Sequence, residues 1–589
     1  MKNSVMTQRQ PGRRLRLSAA IAGVLAGCSI APTAFAMEID TGNTDLKVRF
    51  DNQLRYALGV RGEKVNDAFG NSPTYDETEY RFQRHKVMMN RVDLLSELDA
   101  VYQNKFGARV SGAAWYDHAY RDGKSVTNPG ELAPGLPYSA IGNYINNDYS
   151  SATKRFNYSS GEVLDAFAFG NFDIGGTQVN VKLGKHTVYW GEAFFTSFHN
   201  IAYSQAPLDG LKGASSPGIE AKEVFMPINQ LSAAIQLSSE WSLRGQYFLA
   251  WRPNRLPEGG TYFGAADMLF SGPDRILAGF GPTGPILVPH GANVEPDRNG
   301  KKSYGLNLRY SPSAMSGTTF GVYYRKFDET QPWAPVFGLS PTSPVPVDYH
   351  LAYAKGTQMI AASMQTAVGP VSVGAELSYR KDTALNSNTA FVTANGSVLD
   401  FAGTEGARGD TFHVVVNGVY LLPRTALWES GTLIGELVYS RLQRVTKNAD
   451  VYKGVGYMGC NAGTAAATSG AKTVGDKSDG CSTKDVVLLQ VNFAPQWLQA
   501  MPGVDLTAPM TIGYGLYGNG ATLGGGNEGA ASWSIGLEAD VQQKYKFGIK
   551  WNDQRANYNT GPTGLVTTSN GNAVQNNHGW LAMTFKTSF

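Results

Sequence analysis

Polar and apolar residues alternate along many short segments of this chain, and this period of two constrains the fold more than any other feature. The pattern is clearest over residues 46–61, where one face carries the charged and amide side chains Lys47, Arg49, Asp51, Gln53, Arg55 and Arg61. Because successive side chains of a β-strand point to opposite sides, such a segment is a strand with one apolar and one charged face. Its apolar face carries Leu46, Val48, Phe50, Leu54, Tyr56, Leu58 and Val60.

About eighteen segments alternate in this way, and the connections between them come in two lengths. Tight turns, such as 103–105 and 369–370, alternate with long loops rich in Gly, Pro, Asn and Ser, such as 118–162 and 252–302. This rhythm is typical of outer-membrane barrels. The sequence therefore predicts an all-β fold, a transmembrane antiparallel β-barrel of about 16–18 strands with short periplasmic turns and long extracellular loops. The segments lie near 46–61, 92–102, 106–117, 163–173, 178–188, 230–237, 241–251, 303–311, 318–326, 355–368, 371–381, 410–422, 431–441, 485–494, 510–518, 532–541, 544–553 and 579–589.

The carboxyl-terminal segment favours a barrel independently. Leu581, Met583, Phe585 and the final Phe589 share one strand face, and we expect the outer-membrane assembly machinery to recognise this pattern. A secreted β-sandwich or β-propeller would also alternate, but it would bury its apolar face against a second sheet and would lack the two loop lengths. A mean hydropathy of −0.24, with no long apolar run after the amino-terminal region, excludes a helical membrane protein.

Residues 1–36 have the features of a secretory signal peptide. A basic region is followed by an apolar stretch and by a small-x-small cleavage pattern at 34–36, which would leave Met37 as the first mature residue. The alternative is lipoprotein cleavage before Cys28, since residues 25–28 have the form of a lipobox. Removing 1–36 leaves 46 basic and 48 acidic residues, without the basic run that nucleic acid binding needs. Residues 37–589 are predicted to form one outer-membrane barrel domain.

Two cysteines remain in the mature chain, Cys460 and Cys481. They flank a segment rich in Gly, Ala, Thr and Ser, and no His is nearby in the sequence. In an exported protein, two cysteines that close a polar loop indicate a disulfide rather than a metal site or a catalytic pair.

The stretch 182–225 departs from the alternation and is too long for a hairpin. Two interpretations stay open. The segment folds into the lumen as a constriction, where Tyr189 and Trp190 stack on a flat apolar solute and the nearby charges shape the field. Alternatively, Trp190 anchors an interfacial aromatic girdle and the charges pair with the barrel wall. The predicted lumen and constriction residues are Tyr189, Trp190, Glu192, Glu220, Lys222, Glu223, Arg49, Arg55, Glu376 and Arg380.

The chain resembles the Gram-negative domain-of-unknown-function 1302 proteins over most of its length. Two departures are Lys185-His186, where the family usually has Arg-Gln, and the loop between the two cysteines. The resemblance supports cleavage after Ala36. The matching features are residues 37–43 followed by 46–49, the motif Gly184…Trp190-Gly191-Glu192, the run 217–223, the run 260–263 with Asp267, and the run 374–380.

The resemblance implies a barrel that takes up small hydrophobic or amphipathic solutes of the sterol, terpenoid, alkyl or aromatic acid type. It also implies a periplasmic solute carrier and a resistance-nodulation-division-type inner-membrane permease as partners. The other expected surroundings are outer-membrane lipid and lipopolysaccharide. Loop aromatics would capture an apolar solute, or they would form the loops' own small cores. These aromatics are Tyr262, Phe263, Phe270, Phe280, Trp333 and Phe337.

Three other functions compete with this one. Inward-facing charges favour a general or charge-selective porin, and long loops would suit an adhesin or structural barrel. An outer-membrane hydrolase would need a nucleophile with a base in reach, but none of the eight His falls in a recognisable constellation with Ser or Asp. The sequence therefore predicts no enzyme activity, no catalytic residues, no cofactor and no metal site.

Overall fold

The computed structural model describes residues 37–217, 219, 221–300, 302–340, 343–393, 406–461 and 474–589. The predicted signal peptide, with its alternative cleavage at Cys28, lies outside these residues, as does Glu220. The side chain of Lys222 also lies outside the described part, although its backbone belongs to the short helix Ala221–Val224.

Eighteen antiparallel strands of the described residues pair in chain order and close into a barrel, because the first strand also pairs with the last. The predicted barrel of about 16–18 strands is confirmed. The fifteenth strand is interrupted at 508–509, but its two parts keep one register on both neighbours. The strands are β1 Leu46–Arg61, β2 Val87–Tyr102, β3 Phe106–Asp117, β4 Ser159–Ile174, β5 Thr177–His186, β6 Ile228–Gln236, β7 Trp241–Phe248, β8 Tyr304–Tyr310, β9 Thr319–Phe327, β10 Thr357–Val368, β11 Val371–Ala384, β12 Arg408–Leu421, β13 Ser430–Lys447, β14 Asp485–Met501, β15 Val504–Thr507 with Met510–Tyr517, β16 Ala531–Val541, β17 Tyr545–Arg555 and β18 Trp580–Ser588.

The register places apolar residues outside and polar residues inside. Leu377 of β11 is 48% exposed on the outer face, opposite Ala362 and Val414 of the neighbouring strands. Its neighbour Glu376 faces inward and is only 2% exposed. An exposed apolar outer face with a polar interior is the arrangement that lipid outside and water inside require. Among the described residues, no helix is both long enough and apolar enough to cross a membrane.

The connections separate the barrel into two ends. Short turns, such as 103–105, 175–176 and 542–544, lie at one end, which we call the turn end. Long connections, such as 249–303 and 448–484, lie at the other, which we call the loop end. The loops contain the short helices Asp67–Gly70, Asp76–Tyr80, Tyr138–Ile141 and Ser151–Asn157, the 3₁₀ turns His118–Tyr120, Ile145–Asn147, Met458–Cys460, Lys477–Asp479 and Ala573–Asn577, and the strands Glu131–Ala133, Leu136–Pro137, Arg275–Gly281, Gly284–Pro289, Val336–Ser340, Ser343–His350, Ala390–Thr393, Asn557–Thr560 and Val566–Asn570.

A short amino-terminal strand completes the barrel wall at the turn end. Strand β18 ends where Phe589 pairs with Asn52, so the first residues of β1 extend beyond it. Met37–Ile39 pairs antiparallel with residues 48–50 of β1 and occupies the place that a longer β18 would fill. The backbone groups of β1 are thereby paired along this edge, as the closure of a barrel requires.

The loop aromatics are mostly buried within the loops. Tyr262 is fully buried, Trp333 is 2% exposed and Phe337 is 8% exposed, each in a cluster of loop residues that, for Tyr262 and Trp333, also includes residues of the barrel strands. Only Phe280, among the six, is more than half exposed, at 59%. Of the two interpretations of these residues, the structure shows small loop cores rather than a surface that captures apolar solutes. The predicted disulfide joins Cys460 to Cys481 in the same loop region.

Candidate functional site in the barrel lumen

The connection between β5 and β6 folds into the barrel. We call residues 187–227 the lumen segment; its described residues form two short helices, Gly210–Ser215 and Ala221–Val224. A segment with so little regular secondary structure needs partners from elsewhere for part of its backbone N–H and C=O groups. A buried unpaired backbone group is costly, and the inward-facing side chains of the barrel wall supply the partners.

Two wall carboxylates hold the first half of the lumen segment. Glu376 of β11 accepts hydrogen bonds from the backbone N–H groups of residues 192, 193 and 201, the last at 2.7 Å. Glu436 of β13 accepts from the N–H groups of residues 194, 195 and 196, at 2.6 Å for Phe194 and 2.7 Å for Thr196. Because hydrogen bonds to a charged acceptor are stronger than neutral ones, these carboxylates fix the path of the chain.

Two wall arginines hold the carbonyl groups of the same half. Arg380 of β11 donates to the carbonyl oxygens of Phe198 at 2.7 Å and Asn200 at 2.9 Å. Arg325 of β9 donates to the carbonyl oxygens of Ile201 at 2.7 Å and Tyr203 at 2.8 Å. Both guanidinium groups are fully buried, so the segment covers them completely.

The second half of the lumen segment is tied to the opposite side of the barrel. Arg55 of β1 lies 3.2 Å from Glu223 of the segment and 3.6 Å from Asp93 of β2. Asp209 of the segment pairs with Arg255, which also lies 2.8 Å from Glu162 of β4. In the closed ring of eighteen strands, β1 and β11 are eight positions apart in one direction and ten in the other, so they lie on opposite sides. The segment therefore crosses the lumen from wall to wall.

Trp190 is neither a girdle residue nor a stacking surface for a solute. It is 3% exposed and packs inside the barrel against residues of β9 and β10. Its backbone N–H donates to the side chain of Gln205 at 2.8 Å. Both roles considered for Trp190 are therefore wrong, because its ring is enclosed between the lumen segment and the wall. It instead stabilises the segment by packing against Ile201, Tyr203, Tyr323, Phe327, Met359 and Ala361.

Exposed aromatic surface is supplied by Tyr189 and Phe194 instead. Tyr189 is 39% exposed and Phe194 is 53% exposed. The Tyr189 hydroxyl donates to the carbonyl oxygen of Ala193 at 2.9 Å, and this fixes the ring. Exposed aromatic side chains on a segment held inside a polar barrel offer contact to an apolar part of a solute.

The remaining predicted residues are distributed over different places. Glu192 is mostly covered, accepts a hydrogen bond from Ser363 at 3.2 Å and lies 3.4 Å from Arg309. Arg49 lies at the turn end and pairs with Asp51 at 2.7 Å, away from the lumen segment. Glu376, Arg380, Arg55 and Glu223 contact or belong to the segment as described above.

The space beside the lumen segment lies along β14–β18. A cavity of about 350 Å³ towards the loop end, which we call the upper cavity, is lined by Phe195, Phe198 and Glu436. Small or polar residues of the wall, including Gly513 and Ser532, complete its lining. A lower cavity of about 490 Å³ is lined by Arg55 and the inner face of β16–β18. Both cavities lie on the same side of the segment. In the part of the chain that the structure describes, no group of three or more His, Cys, Asp or Glu is arranged to hold a metal ion.

A buried histidine pair joins the lumen segment to the wall and to a loop. The Nδ1 atoms of His199 and His413 lie 3.0 Å apart, and His199 Nε2 lies 3.0 Å from the carbonyl oxygen of Gly525. His199 Nε2–H donates to that carbonyl, so His199 Nδ1 accepts from His413. Burial, with the charge of Arg380 nearby, lowers the pKa of His199 from its usual value to about 4.

Comparison with known protein families agrees with the resemblance seen in the sequence motifs. Residues 16–589 match the family described as "Protein of unknown function (DUF1302)". The chain belongs to this family. The resemblance inferred from the sequence motifs is thereby confirmed over nearly the whole chain. Among curated proteins, none matches the chain.

Solved barrels from Gram-negative bacteria are similar to this family member at low identity. The Pseudomonas aeruginosa protein OpdK, in a crystal structure with vanillate, is 9% identical with a TM-score of 0.39, and the match covers 92% of this chain and 98% of that chain. Acinetobacter baumannii OccAB1 is 8% identical with a TM-score of 0.40, covering 95% and 99%. A BenF-like porin from Pseudomonas fluorescens Pf-5 is 11% identical with a TM-score of 0.39, covering 94% and 99%.

Replacing Glu376 tests the wall anchors of the lumen segment. In Glu376→Ala three backbone N–H groups lose a charged acceptor, at roughly 1.5–3 kcal/mol each, so we expect the segment to leave the wall. Planar-bilayer recordings should show a larger and less steady conductance. Glu376→Gln, which keeps one acceptor oxygen, should lie between this variant and the wild type. Glu538→Ala, which removes a wall carboxylate outside the segment, should leave the current steady; an equally unsteady Glu538→Ala channel would contradict the account.

The histidine pair predicts an acid-sensitive contact. At pH 7 His199 is neutral whether or not the segment is attached. As the pH falls below about 6.5 the detached form takes up a proton, whereas the attached form does so only near pH 4. Attachment is therefore weakened progressively between pH 6.5 and 4, by up to about 3 kcal/mol. Recordings across this range should show current noise that grows as the pH falls. This growth should be smaller in His199→Asn, whereas His118→Asn should behave as the wild type does. A wild-type current that is equally steady at pH 4 would exclude this coupling.

Proposed function

We propose that the protein is an outer-membrane channel for the passive uptake of small amphipathic or hydrophobic solutes. The observation that carries the proposal is exposed aromatic surface, from Tyr189 and Phe194, on a segment that crosses a lumen whose wall is mainly polar. A solute with an apolar or aromatic body can bury that surface against these rings, which a small inorganic anion cannot do. The apolar outer belt and the placement of both chain ends of the barrel at the turn end support an outer-membrane location.

We infer that the upper and lower cavities belong to one passage along β14–β18. The inner face between them carries small residues, among them Ser534 and Gly536, which leave room beside the lumen segment. The upper cavity presents Phe195, Phe198 and Leu488 together with Glu436 and Gln490. An apolar side and a hydrogen-bonding side in one cavity suit an amphipathic solute better than a purely apolar one.

A charge-selective porin is the alternative, and the charged pairs in and beside the lower cavity are evidence on this point. Lys546 lies 3.5 Å from Asp540, and Lys550 lies 3.9 Å from Glu538. Paired charges of opposite sign partly cancel each other's field, so they favour a weakly ion-selective passage rather than one built to select ions.

The proposal includes further steps that rest on the family resemblance or the sequence alone. The signal peptide would export the chain, and Phe589 would be recognised by the assembly machinery. A periplasmic carrier and an inner-membrane permease would receive the solute. No chemical reaction is part of this function.

Transport of two matched sugars tests the proposal. Phenyl β-glucoside and methyl β-glucoside share one head group and differ in the apolar part. Liposomes with the full-length barrel should admit the phenyl glucoside at least as fast as the methyl glucoside, despite its larger size. The double variant Tyr189→Ala/Phe194→Ala should lose this preference by about fivefold, since each aromatic contact contributes about 0.5–1.5 kcal/mol.

The control is Phe106→Ala, which removes an exposed aromatic residue from the outer face. It should keep the wild-type preference. A wild-type barrel that sorts the two glucosides by size alone, or a double variant with unchanged preference, would rule out the aromatic passage and favour a general porin.

A further inference from the structure

Two prolines interrupt the barrel wall beside the passage proposed above. Pro495 lies within β14, and Pro509 lies at the break in β15. No other proline occurs within the eighteen barrel strands as the structure describes them. Because proline has no backbone N–H, it is normally restricted to edge strands and bulges. Two prolines on neighbouring strands of a closed wall therefore need an explanation.

The strand register places the two prolines against each other. Strands β14 and β15 keep the same register on both sides of the break. The dipeptide Ala494-Pro495 therefore faces the dipeptide Ala508-Pro509, and each proline lies opposite an alanine. We call these four residues the Ala-Pro pair.

Each proline removes one hydrogen bond from the wall. The N–H of Ala508 donates to the carbonyl oxygen of Pro495 at 3.0 Å, and Pro495 cannot return the bond. The N–H of Gly536 in β16 donates to the carbonyl oxygen of Pro509 at 3.0 Å, and Pro509 cannot return that bond either. Paired residues of this kind normally exchange both hydrogen bonds. The contacts of β15 with both of its neighbours are thus weakened at one level of the wall.

Small side chains occupy both faces of the wall at this level. The inner row contains Ala494, Pro509 and Gly536. The outer row contains Gly431, Pro495 and Ala508. Leu537, the next residue of the outer row, is 45% exposed, so this row belongs to the apolar belt. Pro495 is buried, and the wall is closed in this structure.

The inner row lies between the upper and lower cavities. Gln496 and Thr507, one row towards the turn end, line the lower cavity. Gln490 and Gly513, further towards the loop end, line the upper cavity. The weakened part of the wall therefore separates the middle of the proposed passage from the surrounding lipid.

We infer that the Ala-Pro pair is a lateral portal, through which uncharged apolar solutes leave the passage for the outer-membrane lipid. At this place two ladder hydrogen bonds are already absent, and no large side chain bridges the strands. The inference rests on the proposed channel function and adds a destination to it. An apolar molecule gains free energy on transfer from water to lipid, whereas a solute with a large polar head group continues along the passage to the turn end.

Delivery of an apolar dye to lipid tests the portal. N-phenyl-1-naphthylamine is uncharged and fluoresces in a bilayer, and lipopolysaccharide slows its entry. Outer-membrane vesicles that contain the full-length barrel should show a faster rise in fluorescence than vesicles from cells that lack it. Pro495→Ala/Pro509→Ala restores both N–H groups to the wall, so we expect it to slow the barrel-dependent rise about fivefold. Entry of phenyl β-glucoside should keep its wild-type rate, which also shows that the variant barrel is folded.

Pro312→Ala/Pro370→Ala is the matched control, since these two prolines lie in connections at the turn end, outside the strands. It should deliver the dye as the wild type does. Absence of a barrel-dependent rise in fluorescence, or a wild-type rise in Pro495→Ala/Pro509→Ala, would overturn the portal. Loss of the preference for phenyl over methyl glucoside would instead count against the passage, so the failures of the two proposals are distinguishable.

Discussion

The structure depends on how the backbone groups of one irregular segment are paired inside the barrel. In a closed barrel the strands pair with each other, so no edge faces lipid. The lumen segment has no such ladder. Its N–H groups are accepted by Glu376 and Glu436, and its carbonyl groups by Arg325 and Arg380. The inward-facing charges therefore serve first as partners for the backbone of this segment.

The geometry of the open space follows from these anchors. The segment is held on β9–β13 through its first half and on β1–β4 through its second half. The upper and lower cavities lie mainly along β14–β18, beside these anchoring strands. The same anchors leave Tyr189 and Phe194 exposed while they enclose Trp190. The selectivity proposed for the channel is thus a consequence of which strands carry the buried charges.

The sequence predicts the barrel well because the period of two is a local property. Each strand displays its apolar and polar faces in a run of about ten residues, and the loop lengths separate the two ends. The constriction is harder to predict, since Glu376 and the N–H group of Ala193 are 183 positions apart. Glu436 and Arg325 are absent from the predicted site for this reason. In the sequence they occupy polar-face positions like many others, and only the folded chain places the segment against them. The roles predicted for Trp190 are wrong because the sequence does not show whether an aromatic residue in a non-alternating stretch faces water, lipid or a neighbouring side chain.

Chemical modification of the inner wall between the two cavities tests the central claim most directly. Ser534 lies on the inner face of β16, whereas Ser363 is buried behind the lumen segment at 6% exposure. Conductance of Ser534→Cys and Ser363→Cys would be recorded before and after a bulky, positively charged thiol reagent. A sharp fall in the conductance of Ser534→Cys, with little change in Ser363→Cys, is expected if the passage runs along β14–β18. Unchanged conductance in Ser534→Cys, or a fall confined to Ser363→Cys, would contradict it.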